Sequence, residues 1–324
     1  DCRGFITRPG IGEVLAYRDT VDERLSKVIA SLSGDDLARA LAVLELGIQH
    51  EQQHQELMLT DIKLTLAASP LWPAYLNEHA DDDTNPVIRE PARRENADGE
   101  PFIAFDAGVT EIGFHPDTHG EVFAYDNEGP RHRRFLEPFE IAARPATNAD
   151  ILAFIEDGGY ERPELWLDLG WSRVDAERWA APLYWRRDEQ GRWQEYTHHG
   201  LQSLDMDSTA SYLSFFEADA FARWSEARLP TEAEWEHARA ERVLGAAGDA
   251  WEWTRSAHEP YPGYAPPPGA IGEYNGKFMC NQYVLRGESR LTTRGHTRPT
   301  YRNFFEPEAR WQCAGVRLAR TAGD

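Results

Sequence analysis

Residues 230–235, Pro-Thr-Glu-Ala-Glu-Trp, predict a well-defined helix start in the second half of the chain. Thr231 stands three positions before Glu234, the spacing at which each side chain caps the other's backbone N–H. Two further helices are predicted around this one. The first covers residues 148–156 and follows a threonine that can cap it, and the second covers residues 217–227, which are rich in alanine and aromatic side chains.

The chain around these helices, from Pro101 onward, has short strands and many turns. Strands are predicted at Phe102–Phe105, at residues 111–114 and at Phe139–Ala142, which are short, mainly apolar segments rich in Phe and Ile. Eleven tryptophans are available to hold the irregular segments together. This pattern is typical of an α+β domain whose functional site is built from loops on a rigid frame.

The first part of the chain, residues 11–68, has a different pattern. Apolar residues recur there at helical spacing and predict two helices, the second longer than thirty residues and ending by Ser69-Pro70. A helix hairpin of this size needs partner helices to close a core. The sequence lacks an initial Met, so we expect these partners upstream of Asp1 or in another subunit.

The composition excludes several classes of protein. The chain has 324 residues, 55 acidic against 34 basic side chains, and a formal net charge of −21, which disfavours nucleic acid and anionic membrane surfaces as partners. Its three cysteines are too few for a disulfide scaffold and indicate a reducing, cytoplasmic location.

Residues 77–100 are rich in Asp, Asn, Pro and Gly and are interpreted as a linker. A homo-oligomer is compatible with the sequence.

The most specific local pattern lies on the long helix. His50 and His54 are four positions apart, so both imidazoles project from one helix face and can bind one divalent metal ion. A pair at this spacing is also compatible with two solvated or core histidines. Glu51 does not complete the zinc-protease pattern, and Glu56 is too far round the helix to be a third ligand. Because two ligands bind a metal weakly and no histidine precedes His50, we expect a third ligand upstream of Asp1.

These histidines, with several motifs in the second half, resemble the ergothioneine-synthesising sulfoxide synthases, which are non-heme iron enzymes. The segment at residues 49–57 matches the H-x3-H-x-E motif of that family. The resemblance extends over nearly the whole chain, through residues 126–133, 144–148, 157–160, 163–166, 228–236, 248–254, 284–287, 298–303 and 315–318. The segment at 228–236 alone resembles formylglycine-generating enzymes, and its combination with the histidine motif is more specific.

The resemblance implies an α+β protein of two domains. It implies a DinB-like four-helix bundle, partly missing from this chain, over residues 1–76. The linker at 77–100 would lead to a formylglycine-generating-enzyme-like domain, related to C-type lectins, over residues 101–324. It also implies Fe(II) held by three histidines, of which His50 and His54 are two.

The implied reaction joins a thiol to C2 of the imidazole of hercynine, with O2 as the oxidant and a sulfoxide as the product. Tyr274 and Phe304 match family positions near the trimethylammonium group, which aromatic faces attract. Asn303 and Gln53 match positions that contact the substrate carboxylate, and Arg3 matches an arginine that binds the carboxylate of the thiol substrate. The alternative for Tyr274 and Phe304 is an ordinary aromatic core, and for Asn303 a turn.

Departures from the family pattern bear on the thiol. Branches that use γ-glutamylcysteine have an acidic and then a basic residue where this chain has Phe305 and Ala309. Cysteine is therefore the expected thiol, and γ-glutamylcysteine is the alternative. Ile271 stands where the γ-glutamylcysteine branch has its tyrosine proton donor, so no catalytic residue can be named within this chain.

Three other functions remain open from the sequence. A formylglycine-generating enzyme would need paired cysteines in the region of residues 286–290, and Cys280 and Cys313 lie elsewhere. A sulfoxide synthase of the ovothiol type would act on histidine itself. A lectin-like binding module would bind no iron after anaerobic loading and would keep its normal stability when His50 is replaced.

Overall fold

The computed structural model describes residues 8–76, 88–89, 102–120, 122–245, 248–268 and 275–322. The chain divides into two compact units, Asp1–Glu51 and Gln52–Asp324. The division into domains at residues 76 and 101 stays a prediction, since most of the proposed linker lies outside the described residues. Arg89, within that linker, donates its backbone N–H to Arg290 O at 3.0 Å.

The described residues form seven α-helices. They are α1 (Ile11–Ser31), α2 (Gly34–Ala67), α3 (Pro116–His119), α4 (Asn148–Glu156), α5 (Asp168–Glu177), α6 (Phe215–Trp224) and α7 (Glu232–Ala240). Short 3-10 turns lie at Asp126–Glu128, Gly159–Glu161, Pro163–Leu165 and Gly276–Phe278. Within the described part of the chain, no helix combines the length and the apolar character that crossing a membrane requires.

Twelve strands occur in the described ranges. They are β1 (Phe102–Phe105), β2 (Gly108–Ile112), β3 (His132–Leu136), β4 (Phe139–Ala142), β5 (Trp185–Arg187), β6 (Trp193–Thr197), β7 (Gly200–Ser203), β8 (Trp251–Ala257), β9 (Tyr283–Arg286), β10 (Asn303–Phe305), β11 (Ala314–Gly315) and β12 (Ala319–Thr321). They form four small sheets with the orders β10-β9-β8-β11, β1-β4-β12, β5-β6-β7 and β2-β3. The mixture of helices and small sheets confirms the α+β class.

The first unit contains α1 and the beginning of α2. Both predicted helices are confirmed, and α2 ends before Ser69-Pro70 as the sequence indicates. No residue of α1 is buried, so its apolar stripe, which includes Leu15, Leu25 and Val28, remains exposed. The four-helix bundle stays a prediction.

The second unit begins with the rest of α2, which packs against its core. Leu59, Leu66 and Ala67 lie against a buried cluster that contains Tyr184 and Tyr196. Glu56, Thr60 and Lys63 are the buried residues of α2. This half of α2 is therefore an integral part of the second unit.

Two of the predicted strands are confirmed at their stated bounds. Phe102–Phe105 and Phe139–Ala142 form β1 and β4 and pair antiparallel. The strand predicted at residues 111–114 begins and ends earlier, as β2. It stops at Ile112 because Gly113 has a φ of 90° and donates its N–H to Glu236 Oε1 at 2.6 Å, which turns the chain out of the sheet.

The predicted helix starts are set by capping boxes. Thr231 and Glu234 cap each other at the start of α7, and Thr147 caps α4 with Asp150. The helix predicted to begin at Glu217 begins two residues earlier, at Phe215. The reason is a third capping box, in which the Ser214 hydroxyl accepts the Glu217 N–H.

The three carboxylates of α7 pair with arginines from other segments of the second unit, which lie 6, 50 and 70 positions away in the sequence. Glu232 accepts from Arg302 Nε at 2.8 Å, Glu234 accepts from Arg228 at 2.7 Å, and Glu236 accepts from Arg286. The indole of Trp235 on the same helix donates to Glu252 at 2.5 Å. Because buried charges are tolerated only when they are paired and hydrogen-bonded, these pairs determine which segments can pack around α7. They include the segment that leads into β10.

Candidate functional site

His50 and His54, the predicted iron ligands, lie in α2 four positions apart, and both side chains are exposed. Neutral imidazoles are suitable donors for ferrous iron. Among the residues that the structure describes, no group of three His, Cys, Asp or Glu side chains could hold a metal ion. The described chain thus offers two of the three imidazoles that the family resemblance implies, and their role as ligands stays a prediction.

Gln53, predicted to contact the substrate carboxylate, is half-buried on α2. Its Nε2 donates to the hydroxyl of Tyr301 at 2.6 Å. Tyr301 precedes Asn303 by two positions, so this bond brings Gln53 to the segment that carries three other predicted site residues. Sequence reasoning did not identify Tyr301 as a contact of α2.

Asn303 begins β10, the outer strand of the four-stranded sheet, where it lies opposite Leu285 of β9. Its Oδ1 accepts the backbone N–H of Phe304 at 2.9 Å. The oxygen end of the amide is therefore held against the backbone, and the Nδ2 end is left as the donor. The residue before Asn303 is Arg302, whose buried side chain is paired with Glu232. This pair anchors the start of β10.

Phe304, predicted to contact the trimethylammonium group, stacks on the imidazole of His258 with ring centroids 4.0 Å apart and planes 10° apart. The ring of Phe278 also packs near the Phe304 ring, with centroids 5.7 Å apart. Burial lowers the pKa of His258 to about 3, so this imidazole is neutral near pH 7. A neutral ring behind Phe304 adds no positive charge that would repel a bound cation.

Phe305 ends β10 and lies opposite Tyr283. Its ring makes an edge-on contact with Trp311, with centroids 5.6 Å apart. Its surroundings therefore include another aromatic side chain, in agreement with the apolar character inferred from the sequence. The remaining predicted contacts, Arg3 and Tyr274, lie outside the described residues, as does Ile271.

Glu56 is a residue whose importance the sequence did not reveal. It is 7% exposed and accepts three hydrogen bonds, each of 2.7 Å, from the indole of Trp251 and the hydroxyls of Ser289 and Thr292. Burial raises the pKa of Glu56 above its usual range, although the three hydrogen bonds act in the opposite direction. Its place two positions after His54 in the H-x3-H-x-E motif is the one feature that could have singled it out.

The Glu56 contacts also give a role to residues 286–290. Arg286 binds Glu236 of α7, and Ser289 binds Glu56 of α2. Glu288 accepts from Arg89 at 2.7 Å. The segment therefore connects α2 and α7.

Lys63 is a second residue that the sequence did not single out. It is 1% exposed, and its ammonium lies 3.4 Å from the ring centroid of Tyr212 and 4.1 Å from that of Tyr184. Glu195 Oε1 is 3.8 Å from the Lys63 Nζ. Burial lowers the pKa of Lys63 to about 7, because these contacts replace hydration incompletely.

Comparison with known proteins shows which family the chain resembles. Residues 88–245 and 242–322 match the family described as the sulfatase-modifying factor enzyme 1-like domain. A protein named hercynine oxygenase from Mycolicibacterium smegmatis is 31% identical over 354 aligned positions, which cover 94% of this chain and 77% of that protein. The hercynine oxygenase from Mycobacterium tuberculosis is 30% identical, and the alignment covers 94% of this chain and 76% of that protein.

A more distant relative shares only part of the chain. The formylglycine-generating enzyme of Streptomyces coelicolor is 32% identical over 42% of this chain and 46% of its own length. The similarity to the hercynine oxygenases is much more extensive, since it includes most of both chains. From the matched motifs, the α+β second unit and this coverage, we conclude that the chain belongs to the hercynine oxygenase family and carries a sulfatase-modifying factor enzyme 1-like domain.

Proposed function

We propose that the chain is a non-heme Fe(II)-dependent sulfoxide synthase of ergothioneine biosynthesis. It joins the sulfur of cysteine to C2 of the imidazole of hercynine, with O2 as the oxidant. The C2–H and S–H bonds break, C–S and S–O bonds form, and the second oxygen atom leaves as water. The likeness to two proteins named hercynine oxygenase, over 94% of this chain, carries the proposal.

In this proposal His50 and His54 hold the iron, together with a third imidazole from outside the described residues. Ferrous iron, when bound, supplies the activation of O2 and the lowering of the thiol pKa. The chain supplies the binding and orientation of both organic substrates. Because the reaction is confined to one atom of an imidazole, this orientation decides where the sulfur attaches.

The hercynine subsite is proposed around β10. The trimethylammonium group lies against the aromatic face of Phe304, with Tyr274 as a second aromatic contact. Asn303 directs its Nδ2 toward the carboxylate, because its Oδ1 is already bonded to the Phe304 N–H. Gln53 of α2 is the second amide donor. The neutral His258 keeps the ring of Phe304 in place without adding charge.

Cysteine is the proposed thiol. The ring of Phe305 lies against Trp311 and offers no carboxylate for the ammonium group of a γ-glutamyl extension. Arg3 is proposed to bind the cysteine carboxylate. The proposed domain arrangement is a DinB-like bundle portion over residues 1–76, a linker over 77–100 and the catalytic α+β domain over 101–324.

The double variant His50→Ala/His54→Ala tests the proposed iron site. We expect it to retain no iron after anaerobic loading with Fe(II) and to form no sulfoxide from hercynine, cysteine and O2. Its thermal unfolding should match that of the wild-type protein, since both side chains are exposed. Glu51→Ala, an exposed neighbour on the same helix, is the matched control and should retain both iron and activity.

Iron content and mass spectrometry of the product separate the alternatives. Sulfoxide formation by the double variant at the wild-type rate would contradict the iron site. A wild-type protein that modifies histidine and leaves hercynine unchanged would be of the ovothiol type. A wild-type protein that binds no iron and forms no product would be a binding module.

A further inference from the structure

Tyr301 connects α2 to the proposed substrate strand. It is 3% exposed, and its hydroxyl oxygen accepts the Nε2–H of Gln53 at 2.6 Å, across 248 positions of sequence. Asn303, the first residue of β10, lies two positions further on. The two amides proposed to bind the substrate carboxylate are thus linked through one buried tyrosine.

His296 fixes the direction of the hydrogen bonds around Tyr301. Its Nδ1 lies 2.9 Å from Gln52 Oε1, and its Nε2 lies 3.3 Å from the Tyr301 hydroxyl. Because Gln52 Oε1 can only accept, Nδ1 must carry the imidazole proton and Nε2 must accept from Tyr301. The Tyr301 oxygen then has only lone pairs to offer, so Gln53 must present its Nε2–H to it.

Burial maintains the protonation states that this direction requires. It lowers the pKa of His296 to about 4, so the imidazole is neutral near pH 7. It also raises the pKa of Tyr301 well above the usual range for a tyrosine, so the hydroxyl keeps its proton. At physiological pH each residue in the series Gln53, Tyr301, His296 therefore donates a hydrogen bond to the next, and His296 donates to Gln52.

Aromatic packing holds Tyr301 in place. Its ring stacks on Trp251, with centroids 5.4 Å apart and planes 29° apart, and Trp251 is itself bonded to Glu56. Tyr125 packs edge-on against the Tyr301 ring at 5.7 Å. The hydroxyl therefore meets Gln53 from a fixed position, and the amide plane of Gln53 cannot turn over without losing this bond.

We propose that Tyr301 is a positioning residue that holds the Gln53 amide in one orientation, so that its second N–H is directed toward the carboxylate of the substrate. This inference rests on the proposed function and adds a residue to it. Without the hydroxyl, the amide of Gln53 loses the acceptor that selects its nitrogen end at this position. The oxygen end repels a carboxylate, so Tyr301 acts on the recognition of the carboxylate alone.

The test compares hercynine with its decarboxylated analogue, the trimethylammonium derivative of histamine. Both ligands share the imidazole and the cation, and only hercynine has the carboxylate. Equilibrium dialysis with the anaerobic, Fe(II)-loaded full chain gives the ratio of the dissociation constant of the analogue to that of hercynine. In Tyr301→Phe we expect hercynine to bind about tenfold more weakly, the loss of about one hydrogen bond to a charged group, with unchanged binding of the analogue.

A second variant establishes that the effect passes through Gln53. Gln53→Leu should lower the ratio to a similar extent, and Tyr301→Phe should add nothing to it in the double variant. Tyr196→Phe is the matched control, because it removes another buried tyrosine hydroxyl, one bonded at 2.7 Å to Pro73 O, and should leave the ratio unchanged. Since the ratio compares two ligands on one protein, partial unfolding of a variant cancels.

Two results would overturn the inference. Equal weakening of hercynine and its analogue in Tyr301→Phe would assign the tyrosine a general structural role. A further loss of carboxylate discrimination when Tyr301→Phe is combined with Gln53→Leu would show that it does not act through Gln53. Failure of the wild-type protein to bind hercynine at all would instead overturn the proposed function, and the inference with it.

Discussion

The indole N–H of Trp251 donates to the carboxylate of Glu56 across 2.7 Å, and it joins α2 to β8 over 195 positions of sequence. The same carboxylate binds Ser289 and Thr292, and Trp251 also stacks on Tyr301. One buried side chain of α2 thus receives three donors from the second half of the chain. It stands two positions after His54, so it anchors the stretch of α2 that carries a predicted iron ligand.

Replacement of Glu56 tests this anchor. Glu56→Ala leaves three buried donors without an acceptor, and we expect a loss of about 3 kcal/mol or more in the free energy of unfolding. Glu56→Gln retains one acceptor oxygen and should lose less. Urea denaturation followed by tryptophan fluorescence measures both. Glu45→Gln, at an exposed carboxylate of α2, is the control and should change the stability by less than about 0.5 kcal/mol. A loss of that small size in Glu56→Ala would contradict the anchoring role.

Lys63 predicts a dependence of stability on alkaline pH. The pKa of Lys63 is about 7 in the folded protein, against an ordinary value of 10.5 for an exposed lysine. Between pH 7 and 10.5 the unfolded chain therefore binds more protons than the folded protein. The free energy of unfolding should therefore rise with pH in this window, by about 2 kcal/mol between pH 7 and 9 from this residue. The charged and titratable groups facing Lys63 include Glu195, Arg290, His198, Cys313 and the tyrosines Tyr184 and Tyr212.

Lys63→Met isolates this contribution. Methionine retains an apolar stem of similar length and does not titrate, so the rise with pH should be absent from the variant. Urea denaturation of both proteins at pH 7 and 9 gives the difference. Lys27→Met, on exposed α1, should keep the wild-type pH dependence. An equal rise in wild type and Lys63→Met would show that other groups cause it.

Phe305 predicts the preference for the thiol substrate. The wild-type protein should use cysteine with a higher kcat/KM than γ-glutamylcysteine. Phe305→Asp places a carboxylate at the end of β10, where it can bind the ammonium group of the γ-glutamyl extension, and should move the ratio toward γ-glutamylcysteine by about tenfold. Phe305→Ala removes the ring without adding charge and should not produce this gain. Equal use of the two thiols by the wild-type protein would remove the significance assigned to Phe305.

Much of the local structure of this protein follows from its sequence. The capping box of Thr231 and Glu234, the two long helices and the strands at Phe102–Phe105 and Phe139–Ala142 are confirmed, because caps and apolar periodicity act between residues a few positions apart. The motif at His50 and His54, together with the motifs of the second half, also indicated the family. Where the prediction was displaced, at Gly113 and Ser214, a distant carboxylate and an additional cap had moved the end of the element.

Only the tertiary structure decided which distant groups meet. The sequence contains the glutamates of α7, yet the arginine that each one binds is known from the folded chain alone. The same holds for Glu56, for the burial of Lys63 and for the bond between Gln53 and Tyr301. Hydrogen bonds between separate elements, here up to 248 positions apart, leave no periodic pattern in the sequence. They depend on how whole elements pack and on which polar groups that packing removes from water.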